Sequence, residues 1–272
     1  MQLAISNIAW QPHEEEAVAN LMQAYRFEGV EIAPTKTWAN PLQAGESEIT
    51  SFRNLWEKRG IQIVAMQALL FGRPELTLFG EETSRRETLE YLQGMIRLAS
   101  KLGVKVLVFG SPKNRKTGTL SQDEIDRIAI PLFRALGEHA AKHDVTFCIE
   151  PNPAQYDCDF VTTSLEGLAL VKQIDHEGFG LHLDAGGMTL SQEPIDSALA
   201  ECLPAVRHFH ASEPMLAPLG DGSVDHPRFA SALKQGGYAN WVSIEMRPPG
   251  DGAPLASIEA ALAAVKRHYS EN

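Results

Sequence analysis

Cysteine is scarce: Cys148, Cys158 and Cys202 are the only three in 272 residues, and no two are spaced as Cys-x-x-Cys. An odd, scattered set makes no disulfide framework and fits a reducing compartment. Long apolar runs are also missing. No stretch approaches the roughly 18 apolar residues of a membrane span. The opening Met-Gln-Leu-Ala-Ile-Ser-Asn-Ile-Ala-Trp has no basic segment ahead of an apolar one, so no secretory leader is expected. The expected location is the cytoplasm. Positive charge is in deficit, with 24 Lys and Arg against 35 Asp and Glu and a net charge of −11. Tight binding to nucleic acid or to an anionic membrane needs a basic footprint, so neither partner is expected.

The rest of the composition is ordinary for a globular protein, 44% hydrophobic and 22% charged, and it is arranged with a repeat. Eight short apolar runs recur at 3–6, 29–32, 61–66, 104–109, 145–150, 178–184, 206–210 and 242–245. Most are continuous rather than alternating, as in parallel strands buried on both faces. Helical patterns lie between them at 13–26, 83–101, 121–143, 164–173, 195–203, 226–235 and 256–268. The third of these opens with the capping-box sequence Ser121-Gln122-Asp123-Glu124. Gly29, Gly60 and Gly103 precede strands and mark helix C-termini. Strand–helix alternation calls for an α/β fold. Eight units without a composition break predict one domain over 1–272, a single (β/α)8 TIM barrel. The longest non-helical stretches, 68–81, 111–120, 151–160 and 212–224, all follow strands, the side on which such barrels build their sites.

Four metal-ligand types stand at the ends of the fifth to eighth runs: Glu150 in Phe-Cys-Ile-Glu-Pro, Asp184 in Leu-His-Leu-Asp-Ala, His210 in Arg-His-Phe-His-Ala and Glu245 in Val-Ser-Ile-Glu-Met. Adjacent strands lie about 4.8 Å apart, so consecutive strand ends of a small barrel converge within coordination reach. One acidic residue ending a strand is most simply a helix cap; four in consecutive strands are hard to explain that way. Three carboxylates and one imidazole favour Mn2+ or Mg2+, and Zn2+ or Co2+ are compatible.

At these motifs the chain resembles the xylose-isomerase-like sugar isomerase and epimerase superfamily, which includes ketose 3-epimerases, inosose and dehydroshikimate dehydratases, and endonuclease-IV-like enzymes. The resemblance follows the strand order throughout and is most specific from Glu150 to Arg247. It implies one divalent metal held by Glu150, Asp184, His210 and Glu245. It also implies a small carbohydrate-like substrate (a sugar, sugar phosphate or sugar acid) and a homo-oligomer, a dimer or tetramer. The chain departs from the pattern at Gly187, where many members carry His, so substrate identity does not transfer. The implied chemistry is isomerisation or epimerisation through an enediolate that the cation stabilises. Glu150 and Glu245 act as bases on opposite faces. A lyase dehydrating an inosose- or dehydroshikimate-like ketone is the alternative; an endonuclease-like hydrolase and a non-catalytic ligand-binding barrel stand further back.

Further candidates surround the quartet. His182 and His208 sit two residues before Asp184 and His210, on the same side of their strands, and read as substrate contacts, as donors to a ligand or as core histidines. Arg247 is placed to grip substrate or to orient Glu245. Glu31 ends the second run, Gln67 the third, and Asn7 follows the first. Trp10, Trp38 and Phe71 fall in mouth loops, where aromatics stack on sugar faces or cover the barrel end. The basic trio Lys113, Arg115 and Lys116 is either a solvated loop or an anion contact. Asp225, after the glycine-rich turn at 219–223, is expected to cap the helix that starts at His226.

Overall fold

A computed structural model of the chain describes residues 1–220, 222–250 and 254–270. The apolar runs become β1 (Gln2–Ser6), β2 (Gly29–Ile32), β3 (Gln62–Met66), β4 (Val106–Phe109), β5 (Thr146–Ile149), β6 (Phe179–Asp184), β7 (Val206–Ser212) and β8 (Trp241–Glu245). All pair in parallel in chain order, and β1 also pairs with β8, which closes the barrel. The connections supply α1 (Glu15–Tyr25), α2 (Pro34–Thr37), α3 (Glu46–Glu57), α4 (Glu82–Leu102) and α5 (Gln122–Lys142). After β5 come α6 (Ser164–Ile174), α7 (Ala185–Leu190), α8 (Ile195–Cys202), α9 (His226–Gln235) and α10 (Pro254–Tyr269). This is the (β/α)8 barrel expected from the alternation. Helices cover the sheet because a parallel strand exposes two apolar faces and leaves neither wet.

The helix α3 is absent from the sequence expectation. Its apolar pattern is thin, with Ile49 and Trp56 as its buried residues, and a capping box starts it, with Glu48 accepting the Gly45 amide at 2.8 Å. The other capping box stands as expected: Glu124 accepts the Ser121 amide at 2.9 Å. The glycines divide. Gly60 and Gly103 take left-handed φ values of 71° and 78°, the conformation in which a Cβ costs energy. Gly29 does not; Arg26 takes the left-handed turn after α1. Gly29 lies within β2, where a Cβ would come within 2.6 Å of the Trp241 ring. Its missing side chain makes room for that ring.

Between sheet and helices runs a continuous apolar layer in which Phe133 of α5 lies 5.2 Å from Phe179 and 6.0 Å from Phe109. The barrel interior is different. Ala4, Val64, Ala65, Val106, Val108 and Cys148 form a small separate cluster with Trp241 against it. The rest is polar, with Glu31, His182, His208, His210 and Ser243 buried among the strands. The three cysteines are free and buried. Among the described residues no helix is long and apolar enough to cross a membrane.

Candidate active site

Glu150 follows β5 directly, Asp184 and Glu245 end β6 and β8, and His210 lies near the end of β7. The sheet register sets Asp184 against His210. One ligand atom from each of the four residues falls within 4.8 Å of the others. The three carboxylates line the floor of a cavity of about 940 Å3 that opens at the C-terminal ends of the strands. Two overlapping groups, Glu31–His208–His210 and Glu150–His182–His210, are also close enough to hold an ion. Only the quartet brings three carboxylates to the cavity.

The imidazole of His210 is used from both sides. Its Nε2 lies 2.9 Å from Glu31 Oε2. The charges of His210 and His208 hold Glu31 well below the usual carboxylate range against the opposing effect of its burial. Glu31 is therefore the acceptor, and His210 Nε2 carries the proton. Nδ1 makes no hydrogen bond. It faces Glu245 Oε2 at 3.2 Å and Glu150 Oε1 and Asp184 Oδ2 at 4.0 Å each. A carboxylate that fixes one ring nitrogen so that the other faces a ligand site is the usual support of a metal-binding histidine. Substituting Glu31 by Gln is expected to weaken divalent-metal affinity by about 10- to 100-fold, the range for such outer partners, as measured by calorimetric titration with Mn2+. An unchanged affinity would remove Glu31 from that role.

Asp184 is held by its own backbone and by a neighbour. Its Oδ1 accepts the Gly187 amide at 2.6 Å and caps α7, and its Oδ2 accepts the Ser212 hydroxyl. Ser212 also accepts the Gly186 amide at 3.0 Å. Sequence reasoning missed Ser212, although it stands two residues beyond His210 and so points to the same side of β7. The strand runs two residues further than its apolar pattern. At Gly187 a Cβ would meet Asp184 Oδ1 at 3.2 Å and Pro153 at 3.4 Å, so a side chain there would crowd the ligand it follows.

These residues fit a divalent cation. Burial, then repulsion from Glu245 and Asp184, pushes the Glu150 carboxyl up to about 8. Burial and Glu245 push Asp184 up to about 6. Three carboxylates crowded around the His210 ring repel one another, and a cation would relieve that repulsion.

The remaining candidates separate by depth. Gln67 and Arg247 line the cavity, and Gln67 donates to Ser6 Oγ at 2.7 Å. Glu31, His182 and His208 lie fully buried beneath the floor. His182 Nδ1 stands 3.6 Å from Glu150 Oε1, and its ring meets the His210 ring edge-on at 4.1 Å. Burial and the two neighbouring histidines hold His182 well below its ordinary pKa, so it stays neutral. Trp10 is not brought to the mouth. It is 1% exposed and borders a separate cavity of about 240 Å3 with Lys36 and Phe52. Its apolar bulk is drawn into the core, and its carbonyl accepts from Lys36. Trp38 packs edge-on to Phe52, whereas Phe71 reaches the cavity.

The basic trio is dispersed. Lys113 lines the cavity and Lys116 pairs with Asp157. Arg115 is fully buried and donates to the Glu150 carbonyl at 2.7 Å. Its position three residues after Pro112, at the end of a proline-led turn, carried no sign of burial. Asp225 caps α9 by accepting the Arg228 amide at 3.1 Å. His226 turns to Tyr269 at 2.9 Å and to Glu213 at 3.3 Å, away from the quartet. Asp221 of the glycine-rich turn lies outside the described residues.

An L-ribulose 3-epimerase from Methylomonas sp. (strain DH-1) is 22% identical over 231 residues, which span 85% of this chain and 77% of that protein. Among solved structures, a D-psicose 3-epimerase determined in the presence of D-fructose superposes with a TM-score of 0.83 at 17% identity, covering all of both chains. The IOLI protein, solved with a binding zinc atom, superposes at 0.77 and 18% identity, again over all of both chains. Residues 19–268 match the family described as the xylose isomerase-like TIM barrel. The chain belongs to that family.

Proposed function

We propose that the protein is a divalent-metal-dependent ketose epimerase that inverts the carbon beside the carbonyl, with Glu150 and Glu245 as its two bases. One observation carries the reading: Glu150, Asp184, His210 and Glu245 place ligand atoms within 4.8 Å of one another at the open end of the barrel. The names of the relatives, an L-ribulose 3-epimerase and a D-psicose 3-epimerase, support it.

In this reading the quartet holds the cation. When bound, a divalent cation polarises the substrate carbonyl and makes the neighbouring C–H acidic. The chain does the rest. Glu150 and Glu245 come from strands three places apart in the ring of eight, so their carboxyl groups border the cavity from different directions. One takes the proton from the carbon, and the other returns a proton to the opposite face. Asp184, fixed by Ser212 and the Gly187 amide, and His210, fixed by Glu31, hold their positions without joining the proton transfer.

The test is a proton NMR time course in D2O with Mn2+-reconstituted protein, freed of excess Mn2+, on D-fructose, L-ribulose and other ketoses. Loss of the signal at the carbon beside the carbonyl, with the epimer appearing and no water lost, is the expected outcome. An enone absorbance, or no exchange with any ketose, would overturn the reading.

A further inference from the structure

The two most exposed large apolar side chains among the described residues are Phe71, at 72%, and Met215, at 56%. Both line the cavity above the quartet. Phe71 lies in the loop after β3 and Met215 in the loop after β7, strands four places apart in a ring of eight. The two loops therefore border the mouth from opposite sides. Apolar surface left in water costs free energy, and its concentration at one opening marks a place where something is bound.

The lip is held in place. Met215 and Leu216 take left-handed φ values of 60° and 57°, and Ala68, three residues before Phe71, takes 52°. Non-glycine residues keep that conformation where their surroundings impose it, which happens most at binding sites. The Met215 amide donates to Tyr156 Oη at 2.9 Å, and the Leu216 carbonyl accepts the Arg247 amide at 2.9 Å. The loop after β7 is thus tied to the loops after β5 and β8.

Size points the same way. A cavity of about 940 Å3 is near the top of the roughly 300–1,000 Å3 that encloses drug-sized ligands, and a free ketose is far smaller. Gly187 lines it without a side chain and adds room. A free ketose carries oxygen on every carbon. It suits the polar floor and offers the apolar lip little to bury.

We propose that the substrate is a ketose carrying an apolar or aromatic substituent on a carbon away from its carbonyl. The keto end sits over the quartet and the substituent lies between Phe71 and Met215. This rests on the epimerase reading and adds the substrate class to it. The cations of the rim favour a charged substituent less. Arg73 is paired with Glu75 and stacked on Tyr91, and Lys36 donates to the Trp10 carbonyl. Lys113 and Arg247 remain, both exposed, and they make a phosphate the comparison to run.

The experiment compares ketoses that differ only at O6. D-Fructose, D-tagatose and L-sorbose are each presented free, as the 6-O-benzyl ether and as the 6-phosphate, with proton–deuterium exchange as readout. The benzyl ether is expected to give a kcat/KM about tenfold or more above the free sugar, in line with burying one aromatic group. Phe71→Ala is expected to cut that advantage below twofold, and Phe71→Tyr to keep it. Equal values for free and benzylated sugars, or a larger gain from the phosphate, would overturn the proposal and leave the epimerase reading standing. So would an oligomer that dissociates on Phe71→Ala while no substituent effect is seen, because the lip would then belong to a second copy of the chain. No exchange with any of the nine compounds would instead overturn both this proposal and the epimerase reading.

Discussion

Glutamine at position 150 or at position 245 is expected to lower kcat/KM for ketose proton exchange by about 10³-fold, within the 10²- to 10⁴-fold range of a positioned proton-transfer group. Each substitution keeps the size of the side chain and removes its ability to take a proton. In a two-base reaction neither glutamate can stand in for the other, because each serves one face of the carbon. A folding failure would show separately. The barrel's strand pairing does not use either side chain, so circular dichroism and cooperative melting should be retained. At pH 8 the metal-free Glu150→Gln protein should melt above the metal-free parent, since the change removes a buried carboxyl that Glu245 and Asp184 repel. Activity within tenfold of the parent in either variant would rule out the two-base assignment.

Removing the metal should cost more as pH rises. The Glu150 and Asp184 carboxyls are raised to about 8 and about 6 from ordinary values of 4.5 and 3.8. A carboxyl raised by folding contributes its stability below its unfolded value and loses it as pH climbs through the folded one. The metal-free protein should therefore weaken steadily between about pH 4 and pH 8. His210 works in the same direction. Glu31 and Glu245 hold its pKa well above 6.5, so its contribution is complete below that value and declines above it. A cation binds the ionised carboxylates and the Nδ1 of a neutral ring, and its affinity rises as these groups lose protons. The gap in Tm between Mn2+-loaded and chelator-treated protein is expected to widen from pH 5.5 to pH 8, with activity lost on chelation and restored by added Mn2+. A gap that stays flat or narrows would mean that these carboxylates do not hold the ion.

Much of this was legible along the chain. A parallel strand buried on both faces writes a continuous apolar run, and the residue that ends such a run is a local fact. That is why Glu150, Asp184, His210 and Glu245 could be picked out before their convergence was visible. Asp225 was legible as a cap for the same reason, since capping involves neighbours three residues apart. The failures share a cause of another kind. Trp10 follows a strand, as a mouth residue would, yet it is packed into the core and borders a small cavity that Phe52, more than forty residues away, also lines. Arg115 looks like a charged loop residue, and its guanidinium is fully buried at the Glu150 carbonyl. Gly29 resembles the other two helix-ending glycines, but its role is set by Trp241 on a strand that closes the barrel from the far end of the sequence.

The sequence by itself determined the alternation of strands and helices, the strand ends that carry ligands and the acidic balance of the chain. These depend on residues close together along the backbone, where periodicity and capping operate. Only the tertiary structure decided which nitrogen of His210 faces the quartet, that Glu31 lies beneath the site rather than in it, and that Phe71 and Met215 line one cavity. Each depends on closing β1 onto β8 and on the stagger between strands. Those set distances between residues far apart in the chain, such as Glu31 and His210, 179 positions from each other, and no local pattern records them.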